Sequence, residues 1–308
     1  MSDNPATELL NRMMGASPPD SVAEMRDLID GFANLMNADL PEVGAFHEAV
    51  LVREIDGRRV TADVVVPKGS GPHPVLVYLH GGGWVCGSPK THRKLGYRFA
   101  EAGYLVFNVD YRLAPEAKFP APFDDCVDAI HFAARHAGRY GGDATRLAIG
   151  GDSAGGNLAA AAAIALADEA TAPQISAVLL IYGVFDFARL GEGGPTEGPL
   201  AAAGRKMTDL MVGSYLGRGH ADALLADPRV SPIHAAEKLP PCHIVVGSAD
   251  PLAAQAEALA RRLAAAGIEH EHITVPDMPH GYVQMEFFPA ARQSIDRMVA
   301  FLRKHLDR

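Results

Sequence analysis

A serine framed by glycines, a histidine followed by three glycines, and a histidine set between proline and glycine are the residues best able to do chemistry in this chain. The serine lies in Leu147-Ala148-Ile149-Gly150-Gly151-Asp152-Ser153-Ala154-Gly155-Gly156-Asn157, which holds the pattern G-x-S-x-G. An apolar strand precedes it and an alanine-rich helix follows. In that context Ser153 sits on a tight strand-to-helix turn, where side chains two positions to either side would collide, so Gly151 and Gly155 lack them. The N-terminus of the following helix favours negative charge developing at the turn. The motif alone is weak in a chain with 31 glycines; the strand-turn-helix context gives it weight. The chemistry it offers is nucleophilic attack on a carbonyl.

Such an attack needs donors aimed at the tetrahedral oxyanion. The apolar run Leu76-Val77-Tyr78-Leu79 ends in His80-Gly81-Gly82-Gly83-Trp84. A loop of three glycines can turn backbone N–H groups toward one point. The N–H of Ala154, next after the nucleophile, is the expected second contribution. No G-K-[ST] follows the glycines, which excludes a P-loop. His80 sits on the oxyanion side of the serine, so a bracing hydrogen bond suits it better than the role of base.

A serine nucleophile also needs a base and an acid, in the chain order Ser, Asp or Glu, His for a turn of this kind. Among thirteen histidines that leaves His220, His234, His243, His270, His272, His280 and His305. His280 follows the last apolar strand on a loop shaped by Pro279 and Gly281 and is the expected base. His270 and His272 alternate along a strand and read as surface residues rather than metal ligands. Asp250 lies just past the strand Ile244-Val245-Val246, at the sheet end where active sites of open α/β sheets collect, and is the expected acid. It can also cap the helix that follows Pro251. Asp277 is the rival, but stands too close to His280 in sequence to approach its ring comfortably.

The elements that must hold these residues alternate. Val50–Val52 and Val60–Val66 read as a hairpin turning at Asp56-Gly57. Short apolar runs at Val75–Leu79, Tyr104–Val109, Leu147–Ile149, Ala177–Ile181, Ile244–Val246 and Ile273–Val275 suit strands covered on both faces. Helical patterns at Phe123–Arg135, Ala154–Ala167, Leu252–Ala265 and Ala290–Leu306 separate them. The result is an α/β chain with a mostly parallel sheet between helix layers. Residues before about Leu40 are helical and amphipathic, broken at Ser17-Pro18-Pro19-Asp20. A Gly-rich stretch followed by a helical piece with Met207, Leu210, Met211 and Tyr215 interrupts the rhythm. These two parts are assigned to a cap: residues 1–45 and 186–227, over a body of residues 46–185 and 228–308.

Length and composition are those of one large globular core: 308 residues, 48% hydrophobic and 21% charged. Net charge is −9 with no basic cluster, which argues against nucleic acid as partner. Cys86, Cys126 and Cys242 are too scattered for a zinc site or a disulfide framework. The start has no apolar h-region and no apolar run reaches the ~20 residues of a bilayer span. A cytoplasmic protein without stable membrane association, needing no metal or cofactor, is expected.

Taken together, His80-Gly81-Gly82-Gly83-Trp84, Tyr111-Arg112-Leu113-Ala114-Pro115-Glu116, Gly151-Asp152-Ser153-Ala154-Gly155-Gly156-Asn157-Leu158, Asp250-Pro251-Leu252 and His280-Gly281-Tyr282 resemble the hormone-sensitive-lipase-like esterases, bacterial family IV of the α/β-hydrolase superfamily. The resemblance implies an α/β-hydrolase fold with a helical cap, the triad Ser153, Asp250 and His280, and backbone donors from Gly82, Gly83 and Ala154. It implies that the Tyr111–Glu116 segment braces the core, with Arg112 in an ion pair. Many members carry a second acid where this chain has Ala254, which puts local support of the histidine loop in doubt. Tyr282 is a mild variation on a common Phe.

The activity so implied is hydrolysis of small carboxylic esters with short to medium acyl chains. Trp84, Met207, Met211 and Tyr282 are expected to line the pocket, methionines adapting to varied groups. Amide, carbamate or lactone hydrolysis, or a lyase reaction, would use the same triad. A receptor role, as in the similar plant gibberellin receptors that have lost the histidine, is disfavoured because His280 is intact. Pairing through the C-terminal strand and helix would give a homodimer.

Overall fold

The computed structural model describes residues 19–193, 197–219 and 221–307. The expected first helix, around Leu9 to Met14, falls outside them. The chain next forms α1 (Val22–Met36), capped by the Ser21 hydroxyl, which accepts from the Glu24 N–H at 3.2 Å. The helix thus starts just after the expected break at Ser17-Pro18-Pro19-Asp20, and the Asp20 carboxylate pairs with Lys206.

β1 (Ala45–Ile55) and β2 (Arg58–Val66) make the expected hairpin. Asp56 and Gly57 both take positive φ, 52° and 72°, the conformation whose twist suits a two-residue hairpin turn. Then come β3 (His73–Leu79), α2 (Arg93–Glu101), β4 (Leu105–Asp110), α3 (Ala121–His136), β5 (Gly142–Asp152), α4 (Ala154–Ala167) and β6 (Ile175–Ile181). After α5 (Gly198–Tyr215) and α6 (Asp222–Leu225) the chain returns through β7 (Cys242–Gly247), α7 (Ala253–Ala265), β8 (His270–Val275) and α8 (Pro289–Leu306).

The eight strands form one sheet in the order β1-β2-β4-β3-β5-β6-β7-β8. β1, β2 and β4 pair antiparallel; every other pairing is parallel. The inner strands β3, β4, β6 and β7 and the second half of β5 are the apolar runs, buried on both faces because helices cover them, whereas β8 at the edge is only half-buried. α4 is buried almost all round, and alanine lets it lie close against β5 and β6. α2 is the element that sequence reading misses. Four of its nine residues, Arg93, Lys94, Arg98 and Glu101, are charged, while Leu95, Gly96, Phe99 and Ala100 are buried.

Candidate active site

Ser153 lies between the end of β5 and the start of α4, with φ 54° and ψ −116°. A non-glycine residue in that region stores roughly 1–3 kcal/mol, held only where surroundings over-determine it. The surroundings do so. The Ser153 N–H donates to Ile181 O at 2.8 Å. A Cβ on Gly155 would stand 1.9 Å from Leu79 O, and one on Gly151 would stand 2.4 Å from Gly155 O. Both glycines are therefore dictated by backbone packed against backbone.

His280 reaches this turn from the loop after β8. That loop is stitched to the end of β7: Asp277 N–H donates to Ser248 Oγ at 2.8 Å, and Ala249 N–H to Met278 O at 3.2 Å. The imidazole Nε2 lies 2.9 Å from Ser153 Oγ, and Nδ1 donates to Asp250 Oδ2 at 2.8 Å. Asp250 is 3% exposed. Its other oxygen accepts the Leu252 N–H at 2.8 Å, so it also fixes the turn into α7. Burial would lower the His280 pKa, but Asp250, by charge and hydrogen bond, outweighs it and the ring titrates above its usual range. The tautomer with hydrogen on Nδ1 leaves Nε2 free to accept the serine proton.

The other candidates are not brought to Ser153. Asp277 is exposed, with φ 58°. His270 donates to Ile268 O, His243 is buried beside Glu271, and His234 is exposed. His272 is half-buried on β8 and His305 is buried on α8; His220 lies outside the described residues. His80 is buried, stacked on Tyr111 at 4.2 Å, and its own carbonyl accepts the Tyr111 hydroxyl at 2.7 Å. Burial pushes its pKa down to about 3, so it braces the loop as a neutral ring. Arg112 clasps Asp125 with two nitrogens, at 2.7 and 2.8 Å. The three cysteines are buried thiols, and among the described residues no group of His, Cys, Asp or Glu is placed to hold a metal ion.

Each glycine of the triple run answers to a different neighbour. A Cβ on Gly81 would meet Asp152 Oδ2 at 2.4 Å, on Gly82 the Cys86 carbonyl at 2.1 Å, and on Gly83 the Met211 sulfur at 2.1 Å. Gly82 and Gly83 take φ of 126° and 60°, and neither N–H donates to another described group. The Ala154 N–H belongs to the first turn of α4, which has no intrahelical acceptor. Gly82, Gly83 and Ala154 thus each carry an N–H without an acceptor among the described residues.

The four expected pocket residues divide. Met211, on α5, rests on Gly83, and Met207 lies one turn earlier on the same helix, partly buried. Trp84 and Tyr282 do not line a cleft. Trp84 is 1% exposed, stacked on Tyr215 at 4.8 Å and against Phe187 at 4.9 Å, so it fastens α5 to the body. Tyr282 is fully buried and its hydroxyl bonds Ser294 of α8 at 2.8 Å. Both rings are used up by packing, which motif position alone does not reveal.

The model of a family with the α/β-hydrolase fold matches residues 76–284. The chain belongs to that family. Its place among the hormone-sensitive-lipase-like members agrees with its relatives. It is 37% identical over 238 residues to the carboxylesterase NlhH of Mycobacterium tuberculosis, covering 76% of this chain and 74% of that protein. It is 34% identical over 244 residues to an ethyl acetate hydrolase of Pseudomonas putida, covering 75% and 73%. The hyperthermophilic esterase of the archaeon Pyrobaculum calidifontis superposes with a TM-score of 0.85 at 28% identity, covering 99% of both chains. Among the described residues no helix is long and apolar enough to cross a membrane.

Sequence reasoning missed residues that the geometry makes prominent: Asp152, His92 and Gln284 beneath the serine turn, Tyr182 with its ring 4.9 Å from His280, and Arg26 on α1. Asp152 stood within the serine motif, but nothing in the spacing says where its carboxylate goes.

Proposed function

We propose that the chain is a serine carboxylesterase with Ser153 as nucleophile, His280 as base and Asp250 as the acid that orients it. The observation that carries this reading is the unbroken chain of hydrogen bonds from Ser153 Oγ through His280 to Asp250, at 2.9 and 2.8 Å, beside a glycine loop with free N–H groups. Ser153 Oγ attacks the ester carbonyl as its proton passes to His280 Nε2. Gly82, Gly83 and Ala154 donate to the oxyanion, each such donor being worth about 2.7–4 kcal/mol of barrier. The imidazolium, steadied by Asp250, protonates the leaving alcohol. Water then attacks the acyl-enzyme as its proton passes to the same nitrogen, and the imidazolium returns that proton to Ser153 Oγ as the acid is released. No step requires a metal or cofactor.

The substrates are small esters with short to medium acyl chains. Support comes from Met211, which brings α5 directly onto the oxyanion loop. Residues 1–45 and 186–227 then act as the cap, a soluble cytoplasmic setting fits small esters, and β8 pairs two copies. Hydrolysis of a series of p-nitrophenyl esters from acetate to palmitate tests the reading. Wild type should favour acetate to octanoate without activation at an emulsion, and Ser153→Ala should fold and turn over nothing. Wild-type turnover in that variant defeats the triad; a rate that favours palmitate and jumps at an interface defeats the substrate class.

A further inference from the structure

Asp152 precedes the serine and is 2% exposed. Its Oδ1 accepts from the Tyr78 hydroxyl at 2.9 Å and from the Gly81 N–H at 3.0 Å. Its Oδ2 accepts from the Gln284 amide at 3.1 Å. The same amide nitrogen lies 2.6 Å from His92 Nε2, and that ring nitrogen lies 3.2 Å from Asp152 Oδ1. His92 is held in turn by Thr91 Oγ1, 2.8 Å from Nδ1, and that hydroxyl donates to Ser88 O at 2.9 Å. One carboxylate therefore meets the end of β3, the first residue of the glycine loop, the entry to α2, and the loop that carries His280. The Gly81 position has no room for a side chain because this carboxylate fills it.

Building on the esterase reading above, we propose that Asp152 is a positioning residue that locks the oxyanion loop and the histidine loop onto the serine turn, with Gln284 as its reach into the histidine loop. A buried carboxylate is costly unless fully partnered, and the partners here come from the segments whose mutual placement decides the chemistry. A 1 Å misplacement of such groups costs about a hundredfold in rate. The tie also answers the absence of an acid at position 254, where Ala254 is exposed. The histidine loop is anchored from its far side by Gln284 instead.

The carboxylate contributes charge as well. Burial would raise its pKa, yet the His92 ring and the Tyr78 hydroxyl more than offset this, and it titrates below its usual range. Its charge adds to that of Asp250 in holding the His280 ring above its usual range. The groups facing that ring are Asp250 from the loop after β7, Ser153 and Asp152 from the serine turn, and Tyr182 beyond β6. Those facing Asp152 are Tyr78, His80, His92, Gln284 and, more distantly, Tyr111, Tyr182 and His280.

The test compares wild type with Asp152→Asn and Gln284→Met, measuring melting temperature, kcat, KM and the NMR titration of the His280 ring. Asp152→Asn should lower kcat by about thirtyfold or more with KM changed less than about threefold. It should also move the His280 titration down by about half a unit to one unit, the field of one charge at moderate distance. Gln284→Met removes the tie but no charge, so kcat should fall about five- to tenfold with the titration unmoved. Should Asp152→Asn fail to fold, Gln284→Met carries the test. The proposal is overturned if Gln284→Met keeps wild-type kcat, if the losses lie in KM alone, or if a folded Asp152→Asn leaves the titration in place. Should the wild-type protein hydrolyse no ester, the esterase reading fails, while the His280 titration needs no turnover and still decides the role of Asp152.

Discussion

At the scale of single residues, two histidine rings with opposite pKa shifts separate activity from stability. His280 titrates above the ordinary histidine value of 6.5, and in the proposed mechanism it must be neutral to accept the serine proton. The acid limb of kcat/KM should therefore lie above 6.5, and a limb below it would mean a different base. Asp250→Asn should leave the fold intact and cost about 10⁴ in kcat, since the amide favours the wrong imidazole tautomer. His80 moves the other way, down to about 3. A histidine neutral when folded and charged when unfolded gives stability that is full above 6.5 and drains away as pH falls toward its folded value; buried His243, lowered to about 4, acts in the same direction. His280 has the reverse sign: its contribution is present below the unfolded pKa and is lost as pH rises through the raised one. The urea midpoint should fall steadily between pH 6.5 and 4, and a flat midpoint would show that neither buried ring matters. The glycines divide in the same testable way. Gly155→Ala sets a Cβ 1.9 Å from a backbone oxygen that cannot give way and should abolish folding. Gly83→Ala meets only the flexible end of Met211, so it should fold with a loss of about 1–2 kcal/mol from its left-handed backbone.

Among elements, α1 is tied beside the oxyanion loop by the Arg26 guanidinium, while Asn37 at its end bonds Lys90 O and the Lys94 N–H. Arg26 donates through Nε to Val85 O at 2.8 Å and through Nη2 to Ala114 O at 2.9 Å, and forks onto Glu116 at 2.9 and 2.7 Å. The Glu116 half is well exposed and worth little; the two carbonyl bonds carry the attachment. Arg26→Met keeps the apolar stem but strands both carbonyls, and should cost about 1–3 kcal/mol in urea denaturation. Glu116→Gln should cost under about 0.5 kcal/mol, and equal losses would place the attachment in the ion pair instead. None of this is written in hydrophobic periodicity, which marks α1 as amphipathic without saying what its Arg26 will clasp. The strands were legible because a run such as Val75–Leu79 has one physical use, a place between two helix layers. The serine turn was legible because Gly151 and Gly155 answer to local crowding. Trp84 and Tyr282 were misread as pocket walls because burial depends on partners remote in sequence, Tyr215 and Ser294. Asp152 and Gln284, 132 positions apart, escaped for the same reason.

For the whole molecule, the two edges of the sheet are unlike, and the difference bears on assembly. The β1 edge is irregular: its register against β2 shifts between His47 and Val50 and again between Leu51 and Arg53. Bulges of this kind twist an edge away from new partners. The β8 edge is regular. All six residues from His270 to Val275 pair in unbroken register with β7, and no further strand among the described residues covers the other side. Its chemistry is mixed rather than guarded, with exposed Glu271 and Thr274 between half-buried His272, Ile273 and Val275, and no lysine or proline within the strand. Antiparallel addition of a second β8 across a two-fold axis would extend the sheet from eight strands to sixteen. The triad loops spring from strand ends, so such pairing would leave both sites open to small esters. Light scattering over a hundredfold range of concentration should give twice the chain mass of 32.6 kDa. Thr274→Pro, which spoils the free edge for pairing, should return the monomer mass while keeping ester turnover. A monomer for the wild-type chain across that range would reject pairing through β8.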